Sequence, residues 1–414
     1  MPTELDLLRS LDDEPDTPST VDIRKAMNAG RRRRVRRSAG YAGAAALTAI
    51  AVTGTSVTIN LSAPGRTVPQ PAASRAPRPS AGAPAAPAKV SPVSCTVSRL
   101  RPPDQAPQAL VSAADPTGRY IVGRSYPRSG GYQAVIWADG RGREVMLPGD
   151  LEESLTGVNS SGTAVGWSYQ GAGEKAGPVP YAYTGGKVVR MRGPEHAEPR
   201  AVNNAGVVIG HTQTGGRVDQ GAGLMWPSPT AEPVPLPVPP GTKLTRPNDI
   251  AEDGTIVGGL DFAKPVMWTP DGELHELPMP LLDGKQPATV AQAFEIRDGW
   301  ATGMAGTSPL RTARADTRVY AVRWNLRDGH VEVIKQLREP ADDINAHGWL
   351  VGTDLDGYAA LVTGDRTIRL PDLGRHRSDG TATIASTISD DGHLIAGQSD
   401  NSKGVIQAAL WRCR

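Results

Sequence analysis

The chain has 414 residues, with 45 Lys and Arg against 43 Asp and Glu and a formal charge of +2. Its 47 Gly and 37 Pro, about a fifth of the chain, favour turns over long helices, and 38% hydrophobic residues with only 2 Phe leave little material for a polytopic membrane protein. The charge balance argues against a nucleic-acid binder, and two cysteines exclude a disulfide-dense scaffold or a four-cysteine zinc site.

Charge is concentrated at the amino end. Residues 1–37, read as a cytoplasmic tail with a basic collar, hold seven acids and nine bases, six of the latter in the run RRRRVRR, so the rest of the chain is balanced at 36 of each. Leu5, Leu8 and Leu11, and then VDIRKAMNAG behind Ser19 or Thr20, give residues 1–30 two short helical patterns. They could dock a cytoplasmic partner, or be a solvated tail. Residues 38–61 carry no charge. Their apolar centre, residues 41–61, is 21 residues long, enough as a helix to cross a hydrocarbon core of about 30 Å. A secretory signal usually places a shorter apolar region nearer the start, so the segment reads as an uncleaved transmembrane helix, with a long signal peptide as the alternative. The arginines before it orient the amino terminus to the cytoplasm and everything after it to the outside. Residues 62–93 are rich in Ala and Pro, a composition that favours an extended linker.

Residues 94–414 repeat one unit seven times. ADPTGRYIVG, VNSSGTAVG, VNNAGVVIG, IAEDGTIVG, IRDGWATG, INAHGWLVG and ISDDGHLIAG each place an apolar residue before a polar turn ending in Gly, then a short apolar run and a second Gly. The first glycines, Gly118, Gly162, Gly206, Gly254, Gly299, Gly348 and Gly392, are spaced 44, 44, 48, 45, 49 and 44 apart. An Asn or Asp opening such a turn bonds its own backbone, and Gly supplies the positive φ that closes it, so each unit begins as strand, turn, strand. A second hairpin follows, as in AVIWADGRGREVMLP and PVMWTPDGELHELP. Its first strand carries Trp137, Trp226, Trp268, Trp324 or Trp411, with Val362 in the sixth unit and Tyr183 in the second, where the register is ambiguous. Four strands per period of about 46 residues mark a propeller blade. The fold expected is all-β, a seven-bladed β-propeller.

The seventh unit stops at AALWRCR, one strand short, while SCTVSRLRPP at the domain's start belongs to no unit and looks like that missing strand. Joining them closes the ring by an N-terminal strand and puts Cys95 beside Cys413, close enough for a disulfide; two unrelated buried thiols are the alternative. An outside location permits the bond.

The pattern of IN-x-x-G, a hydrophobic residue and V-G, followed by Ala-x-x-Trp, a Gly turn and a closing Leu, resembles the extracellular HAF-type repeat over roughly residues 111–414. The resemblance implies a propeller and brings no catalytic residues with it. The namesake His-Ala-Phe is absent; its slots read Gln133-Ala134-Val135, Tyr358-Ala359-Ala360 and Gln407-Ala408-Ala409. The anchor and its basic collar resemble those of single-pass actinobacterial proteins. No Trp-Asp pair ends a strand, as the WD40 repeat would require.

Superposing the units compares equivalent positions around the ring. One residue before the repeated apolar position they read Ala113, Gly157, Ala201, Asp249, Glu295, Asp343 and Thr387, so three adjacent blades carry carboxylates near the axis. After the turn glycine they read Arg119, Thr163, Val207, Thr255, Trp300, Trp349 and His393. Carboxylates bind sugar hydroxyls and indoles stack on sugar rings, so Asp249, Glu295, Asp343, Trp300, Trp349 and His393 are candidates for one envelope glycan or protein site. The alternative is that the acids pair with an Arg such as Arg200 or cap backbone amides, and that the tryptophans pack between blades. Asp354-Leu355-Asp356-Gly357 lacks the later acidic ligand of a calcium loop and reads as a turn. No nucleophile elbow, zinc-protease motif or phosphate loop is present, and the sequence calls for no metal or cofactor. The expectation is a binding or sensing module at the cell envelope. Two rival readings remain: a glycan hydrolase using two of the carboxylates, or a transmembrane signalling protein with a docking tail.

Overall fold

The computed structural model describes residues 91–414 apart from 129–130, 150–151, 172–175, 213–219, 308–318 and 375–381. The expected tail, membrane helix and all but the last three residues of the linker lie outside the described residues. Among those described, no helix is long and apolar enough to cross a membrane.

Seven four-stranded antiparallel sheets follow one another. Blade 1 begins with Gln108–Ala114, blade 2 with Glu153–Val158, blade 3 with Ala197–Val202, blade 4 with Thr245–Ile250, blade 5 with Val290–Arg297, blade 6 with Asp343–Ile344 and blade 7 with Thr383–Ile388. These are the innermost strands. In blade 7 the fourth position is taken by Cys95–Arg99, which pairs with Ile406–Cys413 in the register Cys95 to Cys413 through Arg99 to Ala409. Ring closure and the Cys95–Cys413 disulfide are thus as expected. The two Cα atoms are 4.0 Å apart, under the usual 4.4–6.8 Å. The reason is the ladder: Ser94 and Arg414 exchange both backbone bonds, so the cysteines form the adjacent non-hydrogen-bonded pair, where strands approach most closely.

The two glycines of the repeat do different work. The first closes the turn at φ between 70° and 92° in all seven units. In blade 2 the turn is held by Asn159 Oδ1, which accepts the N–H groups of Ser161 and Thr163 at 3.1 and 3.0 Å. The second answers a β-bulge. In six blades the inner strand carries one extra residue opposite the second strand, and the bulge pushes a carbonyl over the second glycine. A Cβ on Gly303 would lie 1.9 Å from the oxygen of Gln292, and one on Gly123 would lie 2.0 Å from that of Leu110. Only a residue without a side chain fits there.

Among the described residues, the buried apolar side chains form seven layers, one at each junction between neighbouring blades. Each tryptophan of the third strands is fully buried in such a layer. Its indole N–H donates, at 2.8 Å, to a carbonyl just past the preceding blade: Trp137 to Arg101, Trp226 to Arg192, Trp268 to Pro237, Trp324 to Pro278 and Trp411 to Pro371. Tyr183 stands at this position in blade 2, paired with Ala164 as Trp226 is with Val208, and its hydroxyl bonds Arg143 of blade 1 instead. The ambiguous register is thereby settled. A hairpin of Leu281–Leu282 with Gln286–Pro287, unexpected from the sequence, is inserted between blades 4 and 5.

Candidate functional site

The bulge decides what faces the channel along the ring axis. The extra residue of each inner strand, not the one after it, projects inward: Ser386, Ser112 and Thr156 in blades 7, 1 and 2, and Arg200, Asn248 and Phe294 in blades 3 to 5. Asp342 holds the same place in blade 6, directly before its short inner strand. All seven line the channel. Small hydroxyls therefore occupy one side, and large or charged groups the side of blades 3 to 6.

The predicted carboxylates sit one residue further on. Asp249 and Asp343 are buried and bridge blades in the same way. Asp249 accepts the N–H of Ile250 at 2.8 Å and of Ile296 in blade 5 at 2.9 Å. Asp343 accepts those of Ile344 at 2.7 Å and Ile388 in blade 7 at 2.8 Å. Burial raises both above the usual carboxylate range, Asp343 to about 6, against the pull of the Arg297 guanidinium and of these bonds. Glu295, with one more methylene, reaches the channel and bonds Asp249. Burial and the charges of Asp249 and Asp343 push its pKa well up against the pull of Arg200 and Arg297, which favours the protonated form, the one able to donate to Asp249. Arg297 lies among these acids and Asp390, 3.6 Å from the last. The capping alternative thus describes Asp249 and Asp343.

The structure does not bring the aromatic candidates to the acids. Trp300 packs on the turn of blade 6, where a Cβ on Gly348 would come within 2.9 Å of its ring, and Arg323 lies over its other side with its carbon 5.2 Å from the centroid. Trp349 packs on Gly392 of blade 7 in the same manner. Both are blade-to-blade packing, and neither lines the channel. His393 is not their equivalent. The turns of blades 1 and 7 carry one additional residue, so Tyr120 and Leu394 take the tryptophan's place, Leu394 against Gly118 and Tyr120 against Gly162. His393 is instead tied at Nδ1 to the carbonyl of Cys413 at 2.8 Å. The Asp354 turn is as expected: its Oδ1 accepts the N–H groups of Asp356 and Tyr358, both at 2.9 Å, and its Oδ2 accepts Arg369 Nε at 2.8 Å.

The channel widens over blades 3 to 6 into a cavity of about 770 Å³, within the range of ligand pockets. Arg200, Arg246, Asn248 and Gln292 contribute polar groups, Glu295, Glu339 and Asp342 acids, and Phe262, Phe294 and Met304 apolar surface. Both phenylalanines of the protein are here. A narrower cavity of about 420 Å³, shared in part by the same residues, continues along the axis. Phe262 is held at some conformational cost. It and Asp261 have φ of 59° and 52°, in a turn closed by Ala263 N–H to Leu260 O at 2.9 Å. Bulky residues rarely adopt this region. The turn is pinned because Asp261 Oδ1 accepts Lys243 and Leu244 N–H at 3.0 and 2.9 Å, and Phe262 lies against Arg246, 5.3 Å from centroid to guanidinium carbon.

Electrostatics across this mouth are uneven. Behind Arg200 and Arg246 the buried His211 is kept neutral, its pKa lowered to about 3 by burial and the two arginines. Asp342 opens to the channel but is ringed by protein, and burial together with Glu339 and Asp343 pushes it up to about 7. Among the described residues no group of three His, Cys, Asp or Glu could hold a metal. Comparing residues by distance from the turn missed Arg200, Arg246, Phe262, Phe294 and Asp342. Counting from the second glycine, whose partner strand must bulge, would have reached the bulge positions.

The sequence matches no protein-family model and no curated protein. Among solved structures it is similar to an oligogalacturonate lyase from Vibrio parahaemolyticus, at 10% identity over 78% of this chain and 98% of that one, TM-score 0.48. It is also similar to the β-propeller domain of the Trilobed protease from Pyrococcus furiosus, described as having an open velcro topology, at 10% identity over 74% and 94%, TM-score 0.48. A third is YCF48 bound to D1 peptide, at 10% over 78% and 98%, TM-score 0.43. These likenesses concern the fold alone, and the strand pairing of the described residues makes them a seven-bladed β-propeller closed by the strand Cys95–Arg99.

Proposed function

We propose that this protein is a membrane-anchored, extracytoplasmic binding module whose ligand enters the wide mouth of the channel over blades 3 to 6. The observation that carries the reading is the cavity of about 770 Å³, where strand bulges deliver Arg200 and Phe294, the residue before the inner strand of blade 6 is Asp342, and a strained turn adds Phe262. Strain tolerated at a pocket wall is expected where the side chain serves binding rather than stability. The uncharged residues 41–61 behind six arginines support the anchor, and the Cys95–Cys413 bond supports an oxidising compartment. The resemblance to extracellular HAF-type repeats supports the same placement.

Binding is favoured over glycan hydrolysis because Asp249 and Asp343 spend both oxygens on backbone N–H groups of two blades. That leaves neither free to act as base or nucleophile. Two measurements test the proposal. After cell fractionation, an intact amino terminus in the membrane pellet agrees with the anchor, and a shortened soluble form overturns it. Thermal unfolding against envelope glycans, peptidoglycan fragments and short peptides reads the site, since a ligand at about 100 times its Kd adds about 2.7 kcal/mol. At least one should stabilise the protein and lose its effect in Arg200→Ala/Phe294→Ala. Stabilisation that survives this variant places the site elsewhere.

A further inference from the structure

Arg200, at the bulge of blade 3, and Asp342, at the equivalent place before the inner strand of blade 6, lie three blades apart in a ring of seven, so they face each other across the channel. Neither is neutralised within the fold. Arg200 has no ion-pair or hydrogen-bond partner among the described residues, and the histidine behind it is neutral. The charges that act on Asp342 are those of Glu339 and Asp343, both of its own sign. One wall of the mouth therefore carries Arg200, with Arg246 and its neighbour Glu198 beside it, and the opposite wall carries Asp342, with Glu339 beside it, 3.3 Å from Arg338. Between the two walls lie Phe262 and Phe294.

Arg200 and Asp342 thus face each other across the channel with no ion pair of their own among the described residues, an arrangement that a ligand of matching polarity fits. A sugar acid or a lone anion would satisfy only the arginines and bring more negative charge towards Asp342. A polyamine would satisfy only the acids. A molecule with a carboxylate at one end, an ammonium at the other and an apolar group between satisfies all three surfaces, each charge gaining a charge-assisted bond in a confined site. We infer that the mouth of the channel binds short peptides with free termini, the carboxylate on Arg200 and Arg246, the ammonium on Asp342 and Glu339, and a hydrophobic side chain between Phe262 and Phe294. This inference rests on the mouth being the ligand site, as proposed above.

The test uses the full-length protein in detergent and tripeptides with a central Phe or Leu, each prepared free, N-acetylated and C-amidated, with binding read by calorimetry. Free peptides should bind, and either cap should weaken binding by about tenfold or more. In Asp342→Asn the cost of acetylation should shrink to about threefold or less while that of amidation stays, and Arg200→Gln should show the reverse. Capped peptides that bind as well as free ones overturn the inference, as does the absence of binding by any tripeptide at about 1 mM. The capping comparison on the unaltered protein decides the matter even if a variant fails to fold. A glycan that still stabilises the protein, and stops doing so in Arg200→Ala/Phe294→Ala, would leave the site standing and remove the peptide.

Discussion

The Cys95–Cys413 bond closes the ring at its only covalent seam, and its removal has a calculable effect. The strand Cys95–Arg99 is the outermost of blade 7, hydrogen-bonded along one side only, and it holds the blade whose other strands end the chain. The bond joins residues 318 apart. In the chain-entropy treatment a loop of that length restricts the unfolded chain by about 19 cal/mol/K, or roughly 5–6 kcal/mol at 25 °C as an upper figure. An unfolding entropy of about 2.1 cal/mol/K per residue over the blades gives a fall in Tm of about 8 °C. Replacing both residues, Cys95→Ala with Cys413→Ala, avoids leaving a lone thiol, and scanning calorimetry measures the shift. Amide exchange should also quicken first across Cys95–Arg99 and its partner strand, because the seam then opens locally before the ring unfolds. A Tm within about a degree of the parent, with unchanged exchange at the seam, would refute the argument that ring closure restrains the chain.

Three further outcomes follow from the channel. Asp343→Asn keeps the shape of the side chain but turns an amide NH₂ towards one of two backbone N–H groups. It should destabilise the protein by about 1–3 kcal/mol in denaturant titration, whereas a carboxylate kept for chemistry would leave stability unchanged. Glu295→Gln should act in the opposite sense. The folded state raises the Glu295 pKa, so the stability this group contributes is complete below its unfolded pKa of about 4.3 and is lost as the pH rises through the folded value. Gln mimics the protonated form, so the variant should exceed the parent in Tm at pH 8 and match it at pH 4; an equal gain at both would show that charge is not the cause. Phe262→Gly relieves a bulky residue at positive φ while removing a wall of the mouth. Its turn should become more stable by about 1 kcal/mol, less whatever the Arg246 contact contributes, as ligand binding weakens. Weaker binding without a gain in stability would mean the turn is not strained.

The architecture was legible because it depends on counting. Seven turn glycines at nearly constant spacing, a third-strand tryptophan in most units and an orphan strand at the domain's start are local features, and each blade folds by its own short hairpins. Blade number, ring closure and the cysteine pair follow from them. The acids Asp249, Glu295 and Asp343 were rightly placed near the axis, since all belong to inner strands. What they do there was not legible. In a strand a shift of one residue exchanges the two faces, and the apolar pattern of the repeat is the same with or without a bulge. The bulge turns Arg200 and Phe294 to the channel and Asp249 into the joint between blades, and in blade 6 Asp342, just before the inner strand, and Asp343, its first residue, take the corresponding places. One added turn residue likewise separates His393 from Trp300 and Trp349.

By itself, then, the sequence determines the number of blades and how the ring shuts, because those are set by periodicity and by short-range turn chemistry. The mouth of the channel was decided by tertiary structure alone. Arg200, Arg246, Phe262, Phe294 and Asp342 come from four blades and share no spacing in the chain. Ring closure brings them together, and single-residue bulges, which leave no mark on hydrophobic periodicity, choose which side chains meet there.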